Sequence, residues 1–291
     1  MNEDPAQGRR RCSRPGVFAR GLAMGMAEAV PGVSGGTIAF VTGIYDELVA
    51  SIASFSHTSV STLLRDGWGG FSRRHNIGFL TLLGGGMALG LPLTLMLVVG
   101  FLESHRVYIM GFFFGLIAAS VCHVGLQSSW RWLLSLGLAG ALGGWMLGNL
   151  EMESVGQQAS VIFLAGTLAA TAWILPGMSG AFVLVILGLY EPMAKALLAI
   201  DLPVLATFAA GLVIGVVCFA KLLAWLLDRG RPAVLALLTG VMAGSLAQLW
   251  PWRETAFADT VVTGVVVAIV GGALVVGVLG MATARRGGAV E

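Results

Sequence analysis

Two short stretches decide how this chain folds: Glu28-Ala29-Val30-Pro31-Gly32-Val33-Ser34-Gly35-Gly36-Thr37, and Leu175-Pro176-Gly177-Met178-Ser179-Gly180-Ala181. Each places Pro-Gly near the middle of an apolar region, 16–55 and 158–199, where a helix would otherwise run on. Proline removes a backbone donor and clashes with the preceding turn, and glycine adds entropic cost, so both regions are predicted to break there. Each break is followed by a Gly-aliphatic-Tyr-acid cluster, Gly43-Ile44-Tyr45-Asp46 and Gly188-Leu189-Tyr190-Glu191. Pro31 and Pro176 lie 145 residues apart, and so do Tyr45 and Tyr190. Farther along, Gly86 and Gly90 match Gly211 and Gly215, Leu102-Glu103 and Arg106 match Leu227-Asp228 and Arg231, and Gly115 and Ser120 match Gly240 and Ser245. There the separation is 125 residues, so the first half carries 20 extra, and the polar stretch 56–75 is the candidate insertion.

Composition sets the medium. Apolar residues make up 57% of the 291 positions, only 11% are charged, and the mean hydropathy is +0.88. A soluble domain carries about a quarter charged residues, so a soluble class is excluded. Forty-two glycines suit closely packed membrane helices. Apolar stretches of about 20 residues, enough to span a bilayer, run over 77–101, 107–126, 130–149, 203–227, 232–250 and 260–282. The two broken regions read as re-entrant hairpins; if both arms cross instead, the count of crossings stays even. The expected fold is an all-α integral membrane protein of two inverted-topology repeats, each a broken-helix hairpin followed by three transmembrane helices. The divisions are a basic tail over 1–15, repeat one over 16–150, repeat two over 151–284 and a tail over 285–291.

Charge orients the chain. With the N-terminus inside, thirteen arginines fall on the cytoplasmic side: Arg9, Arg10, Arg11, Arg14, Arg20, Arg65, Arg73, Arg74, Arg131, Arg229, Arg231, Arg285 and Arg286. Only Arg106, Lys195 and Arg253 fall outside, and Lys221 can snorkel inward. The positive-inside rule therefore predicts both termini in the cytoplasm. The arginines of the N-terminal tail are not followed by a cleavage pattern, so they read as a tail and not as a leader. Three scattered cysteines imply neither a disulfide framework nor a metal cluster. The sequence calls for no cofactor, metal or nucleic-acid partner, and leaves a homo-oligomer open.

Inverted repeats with discontinuous helices are a transporter pattern, with the site where the breaks meet. A helix that starts inside the membrane has unpartnered amides and a positive dipole end, which suit an anion such as a phosphate, a carboxylate or a halide. The candidate binding residues are Pro31, Gly32, Ser34, Gly35, Gly36 and Thr37 in the first hairpin, and Pro176, Gly177, Ser179 and Gly180 in the second. The halves are unequal: Glu28 aligns with Trp173, Arg20 with Ala165, and Thr37 with Phe182. An intramembrane carboxylate is costly and usually functional, which makes Glu28 a candidate for proton coupling or charge pairing, with Arg20. A carboxylate among the lipid headgroups is the alternative for Glu28, and snorkelling for Arg20. Tyr45, Asp46, Tyr190 and Glu191 are secondary candidates, with interfacial anchoring as the alternative. The 56–75 segment fits an amphipathic helix on an anionic leaflet or a solvated loop equally well.

At Glu28–Thr37, Gly43–Tyr45, Leu175–Gly180 and Gly188–Pro192 the sequence resembles the bacterial and archaeal polyprenyl-phosphate transporters (PopT), long called a domain of unknown function. The resemblance covers about residues 16–282. It implies a flippase that returns undecaprenyl phosphate, the lipid carrier of cell-wall precursors, from the outer to the inner leaflet of the cytoplasmic membrane. Unaided passage of the phosphate through hydrocarbon costs on the order of tens of kcal/mol by the Born estimate, whereas the polyprenyl tail is at home in lipid. The rival readings are an intramembrane polyprenyl-pyrophosphate phosphatase and a carrier or channel for a small inorganic anion. In the phosphatases the serine has an arginine and a histidine beside it; here Gly35-Gly36 and Gly180-Ala181 follow the serines, and a nucleophile without a base is weak.

Overall fold

Where the sequence breaks, the helices break. The structure, a computed structural model, describes residues 14–28, 34–126, 128–149, 156–250 and 259–287, all helices and connecting turns. Pro31 and Gly32 fall outside the described residues. The first hairpin comprises α1 (Arg14–Glu28), α2 (Gly35–Val41) and α3 (Tyr45–Ala53); the first insertion forms α4 (Ser59–Arg74). There follow α5 (Ile77–Gly125), α6 (Trp130–Trp132), a π turn over Leu133–Gly137 and α7 (Leu138–Gly148). The second hairpin comprises α8 (Ala159–Ile174), α9 (Gly180–Ile186) and α10 (Tyr190–Leu198). Then come α11 (Leu202–Ser245), a 3₁₀ turn over Leu246–Leu249 and α12 (Asp259–Gly287).

The repeated clusters have a local reason. α8 stops because Leu175 precedes a proline and is held extended (φ −70°, ψ 123°). Gly177 then takes φ 86°, a conformation that side chains resist. At the far ends of α2 and α9, Gly43 (φ 73°) and Gly188 (φ 65°) close Schellman caps. The Ile44 amide donates to Ala39 O at 3.0 Å and the Leu189 amide to Leu184 O at 2.8 Å. The tyrosine and acid that follow open the next helix, with Asp46 and Glu191 in its first turn, where a negative charge meets the positive dipole end. Each cap turns the chain sharply: α2 meets α3 at 119° and α9 meets α10 at 115°.

Glycines then set which helices touch. Gly86 and Gly90 of α5 lie on the backbone of Phe18 and Leu22 in α1; Gly211 and Gly215 of α11 lie on Phe163 and Thr167 in α8. Phe18 and Phe163, like Leu22 and Thr167, are again 145 apart. The next helices repeat the arrangement: Gly272 of α12 meets Phe112 and Leu116, and Gly140 of α7 meets Leu237 and Val241. Small residues at these spots let backbones approach, which is how helices associate without a hydrophobic drive between them. Gly84 and Gly85 face open space, so only Gly86 of that triplet serves packing.

Two expectations are corrected. Spans 77–101 and 107–126 are not separated by a turn, since the backbone stays helical through 102–106 in the 49-residue α5. Leu-Glu-Ser-His-Arg contains no breaker. Spans 203–227 and 232–250 are likewise joined in α11, but Gly230 leaves helical geometry (φ −154°, ψ 51°) just before Pro232 and kinks it. The 56–75 segment, left open between helix and loop, is helical over Ser59–Arg74.

One core links the halves, with Met24, Ile38, Ile44 and Leu48 packed with Ile117, Ile174, Leu238 and Met242. A smaller one, Ile162, Leu184, Leu189 and Met193, lies under the second cap. The outside is apolar: Leu89, Leu138, Leu164, Leu168, Val267 and Leu274 are all exposed. By length and composition the described residues hold three helices able to cross a membrane, or five spans if each bent pair is one. The molecule is a multi-pass membrane protein.

Candidate functional site

The two breaks meet. Ser34 caps α2 from an extended backbone (φ −119°, ψ 139°), its Oγ accepting from the Gly36 amide at 3.1 Å. The preceding amide, Gly35 N–H, donates to Glu28 Oε1 at 2.6 Å. The last residue of α1 thus reaches across the break and puts its carboxylate where the α2 dipole is most positive. One turn into α2, Thr37 Oγ1 accepts from the Gly177 amide of the other hairpin at 2.8 Å. The Ser34 hydroxyl donates to Trp173 O at 3.4 Å, and the Tyr45 hydroxyl to Ile174 O at 3.0 Å. Ser34, Thr37 and Tyr45 are all buried.

These bonds explain the small residues. A Cβ on Gly36 would stand 2.7 Å from Trp173 O and 3.0 Å from Ile174 O, so only glycine lets α2 rest on the end of α8. Gly177 needs its glycine twice over, for its positive φ and because a Cβ would meet Met242 Cα and Ser245 Oγ at 2.9 Å. The second hairpin is built differently. Ser179 is an N-cap by backbone (φ −101°, ψ 134°) and is buried, but its side chain makes no cap bond to α9. At the position matching Glu28, Trp173 faces the Glu28 carboxyl instead.

Ser34, Gly35, Gly36, Thr37, Pro176, Gly177 and Glu28 are therefore gathered, and Gly180 packs against Ala169 O beside Trp173. Other candidates are not gathered. Arg20 donates back to Gly16 O of its own helix at 3.3 Å, two turns from Glu28, so the expected pairing with Glu28 is absent. Asp46 pairs with Arg231 at 2.7 Å on an exposed edge, and such pairs contribute about 0–1 kcal/mol. Glu191 pairs with Lys195 at 3.5 Å and Tyr190 is half-exposed, so that cluster lies at the surface. Sequence reasoning passed over Trp173, Ile174 and Arg231. Trp173 and Ile174 could have been found by asking which backbone flanks the second Pro-Gly. One turn beyond Met242, an apolar cleft is lined by Phe114, Leu246, Ala247 and Trp250. Among the described residues no group of His, Cys, Asp or Glu could hold a metal.

Comparison with known proteins places this geometry. Residues 24–279 match the family described as undecaprenyl phosphate translocase-like. The chain is 40% identical over 245 residues to a polyprenyl-phosphate transporter of Vibrio cholerae, covering 82% of this chain and 78% of that one. It is 30% identical over 258 residues to a polyprenyl-phosphate transporter of Staphylococcus aureus, covering 81% and 86%. No solved structure matches it. Both relatives and the family match span nearly the whole membrane region, both broken hairpins included, and the chain belongs to the undecaprenyl phosphate translocase-like family.

Proposed function

We propose that the junction of the two hairpins carries the phosphate of a polyprenyl phosphate, returning it from the outer to the inner leaflet of the cytoplasmic membrane. The observation that carries the reading is the Glu28 carboxylate seated on the Gly35 amide, where Thr37 and Gly177 join the hairpins. A carboxylate and a phosphate oxygen want the same donor. Glu28 is thus a resident anion that the substrate displaces, and Gly35, Gly36 and the first amides of α9 take up the headgroup. Ser34, Thr37 and Ser179 add hydroxyls. The tail stays in lipid or along apolar surface such as the Phe114–Trp250 cleft. The two halves enter the membrane in opposite senses with both termini cytoplasmic, so the junction opens to each side in turn.

Inward movement of an anion opposes an inside-negative potential by about 2.3 kcal/mol per charge per 100 mV. A proton taken up by Glu28 as it leaves Gly35 offsets this. Glu28→Gln keeps an oxygen for the Gly35 amide but carries no charge and takes no proton. In proteoliposomes containing polyprenyl phosphate, this variant should flip the lipid at a rate that no longer depends on pH. An unchanged rate and an unchanged pH dependence would remove Glu28 from the mechanism. Phosphate release in the same preparation would point to a phosphatase, and uptake of inorganic phosphate at a comparable rate to a small-anion carrier.

A further inference from the structure

The insertion between the first hairpin and α5 is amphipathic with its sides reversed. In the first part of α4, Ser59 and Thr62 are buried against the protein, while Val60, Leu63 and Leu64 are exposed at 66%, 37% and 80%. Those three fall within roughly a third of the helix circumference at 100° per residue. Gly67 (φ 66°, ψ −175°) breaks the helix, and the second part folds back so that Arg74 donates to Thr62 Oγ1 at 2.8 Å and Thr58 Oγ1 at 3.4 Å. Beyond the break Trp68 is 65% exposed, stacked on Phe71. The polar groups are thus consumed inside, among Thr58, Thr62, Arg74 and the Ser54–His75 pair, and the apolar groups point out. A helix facing water would have the opposite arrangement.

What covers the apolar side follows from where α4 sits. Only His75 and Asn76 separate it from Ile77, the first residue of an apolar span, so α4 lies at the membrane boundary. Arg65 and Arg73 are exposed beside the apolar side chains. We propose that α4 is an interfacial anchor, with Val60, Leu63, Leu64 and Trp68 sunk in the acyl boundary of one leaflet and Arg65 and Arg73 on its anionic headgroups. This does not depend on what the protein transports.

The test uses the full chain, with Cys12, Cys122 and Cys218 replaced, in vesicles of neutral lipid with or without an anionic lipid. A polarity-sensitive fluorophore is placed at Leu64→Cys and, as the water-facing control, at Asp66→Cys. With anionic lipid, the label at 64 should be quenched by lipid-borne quencher and shielded from aqueous iodide, and the label at 66 should show the reverse. Adding Arg65→Glu and Arg73→Glu should shift position 64 towards iodide by about fivefold for each arginine lost. Free access of iodide to position 64 in anionic vesicles overturns the proposal. So does disulfide cross-linking through position 64 between copies, which would make a second chain the occupant.

Discussion

At the scale of single residues, the junction hangs on a few bonds that cross from one hairpin to the other. Thr37 Oγ1 is the acceptor for the buried Gly177 amide, and an orphaned buried donor costs about 1–3 kcal/mol. Thr37→Val keeps the shape and removes the acceptor. It should lower the thermal midpoint in detergent by that margin, while Thr37→Ser stays near wild type; equal effects of the two would show that the methyl group matters and the bond does not. Much of this was legible in the sequence, because Pro-Gly, Ser-Gly and an out-of-place carboxylate identify themselves by type. The partners were not. Trp173 O, Ile174 O and the Gly177 amide are backbone groups, and a backbone group looks alike at every position until the fold selects it.

At the scale of elements, glycine is the code that sequence carries best and reveals least directly. Gly86 touches the α1 backbone, yet Gly84 and Gly85 beside it touch nothing within 4 Å. Gly86→Leu should therefore destabilise by about 1–3 kcal/mol or more through overpacking, whereas Gly84→Leu should be tolerated, as judged by thermal melts of the purified variants. Comparable melting points would mean that α1 does not sit on α5 as described. The α4–α5 corner carries a second test. Ser54 Oγ is already engaged with Ser51 O at 2.6 Å, so the His75 Nδ1–H donates to Ser54 at 2.8 Å. Nε2 is then a bare acceptor, buried and without a partner, and the ring packs between Phe55 and Phe71. Burial, with the Arg74 charge adding to it, holds the His75 pKa below the usual 6.5. A base with a lowered folded pKa contributes stability that is present above about pH 6.5 and is lost as pH falls below it. Melting of the wild type should thus fall more between pH 7 and pH 5 than melting of His75→Phe; parallel profiles would clear His75 of the role. Element ends were less legible than element existence. Gly230 beside Pro232 announced a kink, but the helical run through 102–106 has charged residues and no breaker, and charge alone does not end a helix.

At the scale of the whole molecule, what sequence showed as matched spacings recurs as matched contacts, Gly86 on Phe18 and Gly211 on Phe163. What it could not show is how two related halves come to differ at their meeting point. Where the first hairpin offers a hydroxyl at Thr37 the second has Phe182, and where the first has Glu28 the second has Trp173. The two-sided junction therefore holds one charge, and that charge is part of the chain. A group tethered beside its own donor competes at an effective concentration far above that of a dissolved rival. Chloride or free phosphate, arriving with nothing else to hold it, would lose that contest. A headgroup anchored by a long hydrocarbon chain keeps returning until it wins, so a passage for lipid can stay shut to the electrolytes on either side.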